Sequence, residues 1–326
     1  MSTGHPVAAQ RSLVGERPAA DSNRAVTPPP GAPSSAGIAP PTAVVLRRRP
    51  SVWHQFVRNG TAMTAFLLVV TIVVLAIAAP VLPLQDPIKP SFGQRLLPPL
   101  QAGHFLGTDQ LGRDLLSRLI WGARVSLAVG AFSAVIACTL GSLVGVLAGF
   151  FGGAMDTVLM RIIDVMLAFP YVLLAIALVA ALGPGLINAM IAIAVVNVSF
   201  YARNIRGNVL ALRGQPYIDA ARASGASQWR LLRHHVFPNV VPALLVLLSL
   251  NVGWMITETA GLSFLGLGAQ PPQADWGSML GDGRQFITVA YHVATIPGLT
   301  IMALVLALNT MGDTLRDLLD PRIRGR

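Results

Sequence analysis

Lysine is almost missing from this 326-residue chain: Lys89 is the only one, and Pro90 follows it. A phosphate-binding loop ending Gly-Lys-Ser/Thr therefore has no place in it. If a nucleotide drives this protein, another chain binds it. Charge of either sign is scarce, at 12% of residues, where soluble domains carry about a quarter. Cysteine occurs once, as Cys138 inside an apolar run. That excludes an intrachain disulfide framework and a Cys-based metal site, and it leaves Cys138 as a small packing residue. Catalytic sets are lacking too. No Ser/His/Asp arrangement, paired carboxylates or His-x-x-x-His stands in a credible context, and the adjacent His234 and His235 point different ways on a helix. No metal site, bound cofactor or enzymatic activity is expected of this chain.

What is present is apolar. Hydrophobic residues make up 53%, and the mean hydropathy is +0.62, which places the chain in the membrane class. The formal net charge is +10. Such a surplus can mean nucleic acid, but here the basic residues cluster beside apolar spans, which points to orientation in a membrane and to lipid headgroups. Residues 1–50 hold nine prolines and end in Arg47-Arg48-Arg49. They show no helical or strand period and are expected to stay disordered.

A spanning helix needs about 20 mostly apolar residues. The uncharged runs give six all-α transmembrane helices, at 62–83, 126–150, 162–182, 186–201, 239–260 and 292–310. Gly183-Pro184-Gly185 separates the third from the fourth. Segment 51–125 then holds the first span and an amphipathic stretch, 126–312 the core, and 313–326 a tail. Six spans put both termini on one side. With the amino terminus inside, 18 of 24 basic residues face the cytoplasm, as the positive-inside rule requires. Arg113, Arg118 and Arg124 then lie outside, partly balanced by Asp109 and Asp114. Gly141, Gly145, Gly149 and Gly153 recur every four residues in the second span. Such a stripe suits close helix packing in lipid, with a pore-lining face as the alternative.

Residues 202–238 interrupt the apolar sequence on the inner side. Pro216 suits a helix start, Gly225 a left-handed stop and Ser227 an amino-terminal cap. Two short helices at a turn are expected, with Pro238 closing the second. Chain physics leaves two uses equally open for this basic surface: resting on anionic lipid, or docking a protein.

Asp219-Ala220-Ala221, then Gly225, then Phe237-Pro238 resembles the "EAA" loop of the permease subunits of binding-protein-dependent ABC importers. Asp219 stands where that pattern has Glu, His235 where it has Ile, and Phe237 where it has Leu. Leu106-Gly107-Thr108-Asp109-Gln110-Leu111-Gly112-Arg113-Asp114, Leu262-Ser263-Phe264-Leu265-Gly266 and Leu319-Asp320-Pro321-Arg322 are similar to segments of the second permease of the peptide/nickel group. The resemblance covers roughly residues 50–326.

It implies a type I ABC importer permease fold with both termini cytoplasmic. It also implies a homologous second permease, two ATPase subunits carrying ATP and Mg, and an extracellular solute-binding protein. Coupling to the ATPases would fall on Tyr217, Asp219, Ala220, Ala221, Gly225 and Pro238, with Gly225 as a hinge. The solute would be a dipeptide or oligopeptide, with nickel complexes, glutathione-like molecules and haem as alternatives. An ion-coupled secondary transporter fits poorly, because midplane charge is nearly absent. Asn251, Trp254 and Glu258 share one face of the fifth span and could line the pathway or form an interhelical seam. Asp164 is expected to pair with Arg161, three residues away.

Overall fold

The computed structural model describes residues 59–319; the amino-terminal tail and the last seven residues lie outside it. The described chain is helical, with only isolated β-bridges at Gln101–His104 and Thr108–Asp114. The main helices are α1 (Gly60–Ala78), α2 (Leu115–Phe151), α3 (Gly153–Leu167), α4 (Tyr171–Leu182) and α5 (Leu186–Arg213). They continue with α6 (Pro216–Ala223), α7 (Gln228–Phe264), α8 (Trp276–Gly283) and α9 (His292–Leu319). Among them α1, α2, α5, α7 and α9 are each long and apolar enough to cross a membrane, and the pair α3 and α4 makes a sixth span if taken together.

The third span is not one straight helix. It breaks between Leu167 and Tyr171, and α3 and α4 meet at 94°. Pro170 explains the break. It lacks the N–H that would continue the ladder, and its ring pushes Phe169 out of the helical region. The turn expected at Gly183-Pro184-Gly185 is present, with Gly183 at φ 91° and Gly185 at φ 152°.

Most spans run longer than charge alone suggested: the third starts at Gly153 rather than 162, and α9 continues to Leu319 rather than stopping at 310, so the expected tail from 313 begins as helix. α2 begins at Leu115 rather than 126, because Asp114 caps it by accepting from Ser117 N–H at 2.7 Å. Arg118 sits inside this helix because its charge is partly answered locally: Nη1 donates to Pro87 O at 2.9 Å, and Nε lies 3.3 Å from the Asp109 carboxylate that it shares with Arg113. α5 continues to Arg213 rather than stopping near 201. Its Arg206 makes two 2.6 Å hydrogen bonds to Asp156 of α3, and Arg203 reaches Asp164 at 3.0 Å. Asp164 thus pairs across helices and not with Arg161, since the extension of α5 brings Arg203 level with it. α7 absorbs Pro238 instead of ending there. A π-helical turn at Leu232–Val236, in which Phe237 N–H donates to Leu232 O, joins its first turn to the rest.

Three glycines of the stripe form a tight seam between α2 and α5. A Cβ on Gly141 would stand 2.6 Å from Tyr201 Cβ, and one on Gly145 2.5 Å from Ala202 O. At Gly149 the nearest approach, to Arg206 O, would be 3.0 Å. The backbones of α2 and α5 therefore lie in direct contact, the geometry that small residues permit in lipid. Gly153 does not belong to this seam. It has φ +55° with nothing within 4 Å, and it starts α3 after Gly152 has ended α2. Cys138 is buried in the apolar core beside this seam, with Ala134, Ala137 and Tyr201.

Candidate functional site

At one end of the bundle α5, α6 and the first turns of α7 meet. Pro216 occupies the first turn of α6, where its missing N–H is no loss. The helix ends in a two-bond Schellman cap: Ala226 N–H donates to Ala221 O at 3.1 Å, and Gly225 N–H to Arg222 O at 3.0 Å. Gly225 carries φ +84°, which only glycine adopts without strain. Ser227 Oγ then accepts from Arg230 N–H at 3.3 Å and opens α7.

This elbow is fixed from below. Ile218 is fully buried, and the half-buried Ala221 and Ala226 pack on Val209, Leu231, Val236 and their neighbours. Its other side is bare: Tyr217, Asp219, Ala220, Arg222 and Ala223 are exposed. The aromatic side chains of Tyr217, Trp229 and Phe237 add apolar area around it, with Trp229 68% exposed. Asp219 makes only a 3.4 Å pair with Arg222, and Pro238 is exposed beyond the π turn. Of the residues expected to act in coupling, Tyr217, Asp219 and Ala220 are exposed on α6 and Gly225 forms its turn, whereas Ala221 faces the core and Pro238 lies farther along, beyond the π turn.

The three residues expected along the pathway lie on one stretch of α7 and differ in burial. Asn251 is buried, Trp254 is 53% exposed, and Glu258 is half-buried near the Tyr171 hydroxyl. Tyr171 in turn accepts from Asn197 Nδ2 at 3.1 Å. Tyr171 and Asn197, which link Glu258 to α4 and α5, gave no sequence signal, since each is a lone polar group in an apolar run.

The opposite end of the bundle carries a built polar cap that composition did not reveal. Residues 84–114 fold over the start of α2. Buried Asp109 receives Arg113 Nε at 2.6 Å, and Asp114 accepts from His104 Nδ1 at 2.9 Å as well as capping α2. α8 lies across the end of α7 on two glycines four residues apart. A Cβ on Gly277 would stand 2.4 Å from Ala260 O, and one on Gly281 2.7 Å from Phe264 O. Trp276 is buried and donates from Nε1 to Leu119 O at 2.8 Å. Gly277 and Gly281 were the available signal for α8, in the stretch between the fifth and sixth expected spans.

Residues 141–325 match the family model described as "Binding-protein-dependent transport system inner membrane component". Residues 51–99 match the "N-terminal TM domain of oligopeptide transport permease C". The chain belongs to the binding-protein-dependent inner-membrane permeases. It is 43% identical over 272 residues to a glutathione transport system permease protein, GsiD, of Pectobacterium atrosepticum, covering 83% of this chain and 90% of that one. It is equally similar, at 43% over 272 residues, to a dipeptide transport system permease protein, DppC, of Alkalihalophilus pseudofirmus, covering 83% and 89%. The fold resembles that of a chain in the inward-facing MetNI methionine ABC transporter, with TM-score 0.51 and 20% identity over 62% of this chain and 96% of that one. This membership makes the chain a multi-pass transport subunit and not an enzyme, similar to the second permease of peptide importers.

Proposed function

We propose that this chain is one permease half of an ATP-driven importer that carries short peptides into the cytoplasm. A homologous permease completes the membrane pathway, and two ATPase subunits holding ATP and Mg dock on the α6 elbow. An extracellular solute-binding protein delivers at the opposite end, so both termini are cytoplasmic. The observation that carries the docking assignment is the two-sided elbow. One side is pinned by Ile218 and a Schellman cap, and the other leaves Tyr217, Asp219 and Ala220 exposed, with only local contacts from Arg222 to Asp219 and from His235 to Tyr217. A lipid-resting helix would instead place its apolar face and cations toward the headgroups. Relatives named for dipeptides and for glutathione, itself a small peptide, favour peptides over nickel complexes and haem.

The pathway is assigned to the exposed side of α7 around Trp254 and Glu258, with Asn251 as its buried support. The test of docking is Ala220→Trp. Ala220 is exposed, so the variant should insert and fold while an ATPase surface can no longer approach. Uptake of labelled dipeptide and ATPase co-purification should both fall to background at normal membrane levels of the chain. Wild-type uptake by this variant would refute the docking assignment.

A further inference from the structure

A cavity of about 450 Å³ opens at the end of the bundle opposite α6, within the range of small-molecule sites. Its wall brings together Arg113, Arg118, Arg284, Asp282, Gln110 and Gln270. The charges do not balance. Arg113 and Arg118 share one carboxylate oxygen, Asp109 Oδ2, at 2.6 and 3.3 Å. Arg118 is 2% exposed; its Nη1 donates to Pro87 O at 2.9 Å, but its Nε makes no hydrogen bond. At the rim, Arg284 rests over the Phe264 ring at 5.2 Å, and Asp282 holds only Gln110 Nε2 at 3.2 Å. Three guanidinium groups thus face two carboxylates. An additional anion would complete the set, and the planar guanidinium fork matches a carboxylate. Asp282 supplies the opposite charge on the same wall, and the glutamine amides offer both donors and acceptors.

We propose that this cavity is a binding site for the carried solute. It would hold a short zwitterionic peptide by its terminal carboxylate on the Arg118–Arg284 side and by its ammonium near Asp282. This rests on the peptide reading above. It adds a holding site on the permease itself, between the delivery protein and the membrane pathway.

The same chemistry could be satisfied by an acidic side chain of the delivery protein, so the test separates the two sources. The importer (both permeases with both ATPases) is placed in lipid nanodiscs without delivery protein. Binding of labelled dialanine and of its carboxyl-terminal amide is measured with and without a non-hydrolysable ATP analogue. Dialanine should bind saturably in at least one of these states, and the amide at least about tenfold more weakly, as loss of a charge-assisted bond implies. Arg284→Gln, at an exposed position, should weaken dialanine several-fold, and Arg118→Lys should do so by losing the fork. Docking of peptide-free delivery protein should not change.

No saturable binding in either state, or equal binding of acid and amide, overturns the proposal. So does a variant that loses docking of the delivery protein but keeps peptide binding, which would assign the cavity to an acidic anchor of that protein. ATP-driven dialanine uptake is measured in parallel. Uptake without cavity binding overturns the cavity site and leaves the peptide reading standing, while absence of uptake by the wild type overturns that reading and, with it, the site.

Discussion

Gly145→Ala adds one carbon at the closest approach of α2 and α5. The new Cβ would lie 2.5 Å from Ala202 O, 3.0 Å from Arg206 N and 3.0 Å from Ile205 Cβ. Two of the three obstacles are backbone, so no rotamer change relieves them. Ordinary contact needs about 3.5–4.0 Å between carbons, so the helices must separate by most of an ångström or bend. Overpacking of this kind costs about 1–3 kcal/mol. The seam also aligns Arg206 with Asp156, so separation would lengthen that bidentate pair. With about 2–4 °C per kcal/mol for a large domain, the melting midpoint should fall by roughly 2–12 °C. The assay is thermal unfolding of the purified importer in detergent, followed by the loss of the monodisperse peak. Gly207→Ala is the control, because Gly207 lies on an exposed part of α5 and a Cβ there meets nothing within 4 Å. Its helix propensity should rise by about 1 kcal/mol, so its midpoint should hold or increase. A Gly145→Ala protein as stable as Gly207→Ala would refute the reading of the seam as direct backbone contact.

Other perturbations test the remaining parts. Asp109→Asn leaves two buried guanidinium groups without their shared anion; breaking a buried pair costs about 3–5 kcal/mol, so the chain should be degraded in the membrane, as quantitative blotting would show. Gly225→Ala forces an L residue to φ +84°, at about 1–2 kcal/mol, and should speed hydrogen exchange in α6 while leaving α2 protected. Asp156→Arg should raise protease cleavage between α2 and α3, and Asp156→Arg with Arg206→Asp should restore resistance in part; the pair is only partly buried, so about 1 kcal/mol is expected. Glu258→Gln keeps the side chain's shape and its capacity to hydrogen-bond but removes its charge. If Glu258 serves the pathway, uptake should drop severalfold while the melting midpoint stays within about 1 °C; if it only braces α4 against α7, the midpoint falls and uptake per folded importer holds.

Apolar length and turn chemistry were readable along the chain because each is local. Pro216, Gly225 and Ser227 act through their own backbone or the next turn, and all three stand where the sequence placed them. The six spans also emerged, but their ends did not. A charge looks like a boundary when its partner is unknown. Arg118 is tolerated inside α2 because Asp109 and Pro87 O fold back onto it, and Arg203 and Arg206 extend α5 because α3 supplies Asp164 and Asp156. None of these pairs has a spacing that marks it. Pro170 is different: its effect is local and it was present in the run, but an uninterrupted apolar stretch outweighed it. The charged cavity was the least legible feature. It draws Arg118, Gln270 and Arg284 from three distant segments, and only the packing of α8 on Gly277 and Gly281 closes its wall.

Gly225 has the backbone of a hinge but not the surroundings of one. Its left-handed φ is locked by hydrogen bonds on both sides of the turn, and Ala221 and Ala226 press the elbow onto the core below. Swinging α6 about Gly225 would break both bonds and expose that apolar contact. α6 and the start of α7 therefore move together. From the elbow α7 runs through its π turn to Phe264 as a helix of 37 residues, about 55 Å at 1.5 Å per residue. That exceeds the roughly 30 Å hydrocarbon core of a bilayer, so one continuous helix joins the proposed ATPase dock to the wall of the charged cavity. The places where α7 can yield are its π turn and Pro242, both in its first half. Beyond them Gly130 of α2 and Gly277 and Gly281 of α8 hold its backbone in direct contact. Displacement of the elbow is thus either absorbed at the π turn or delivered whole to α8 and the cavity, and the glycine seams decide how much slack lies between.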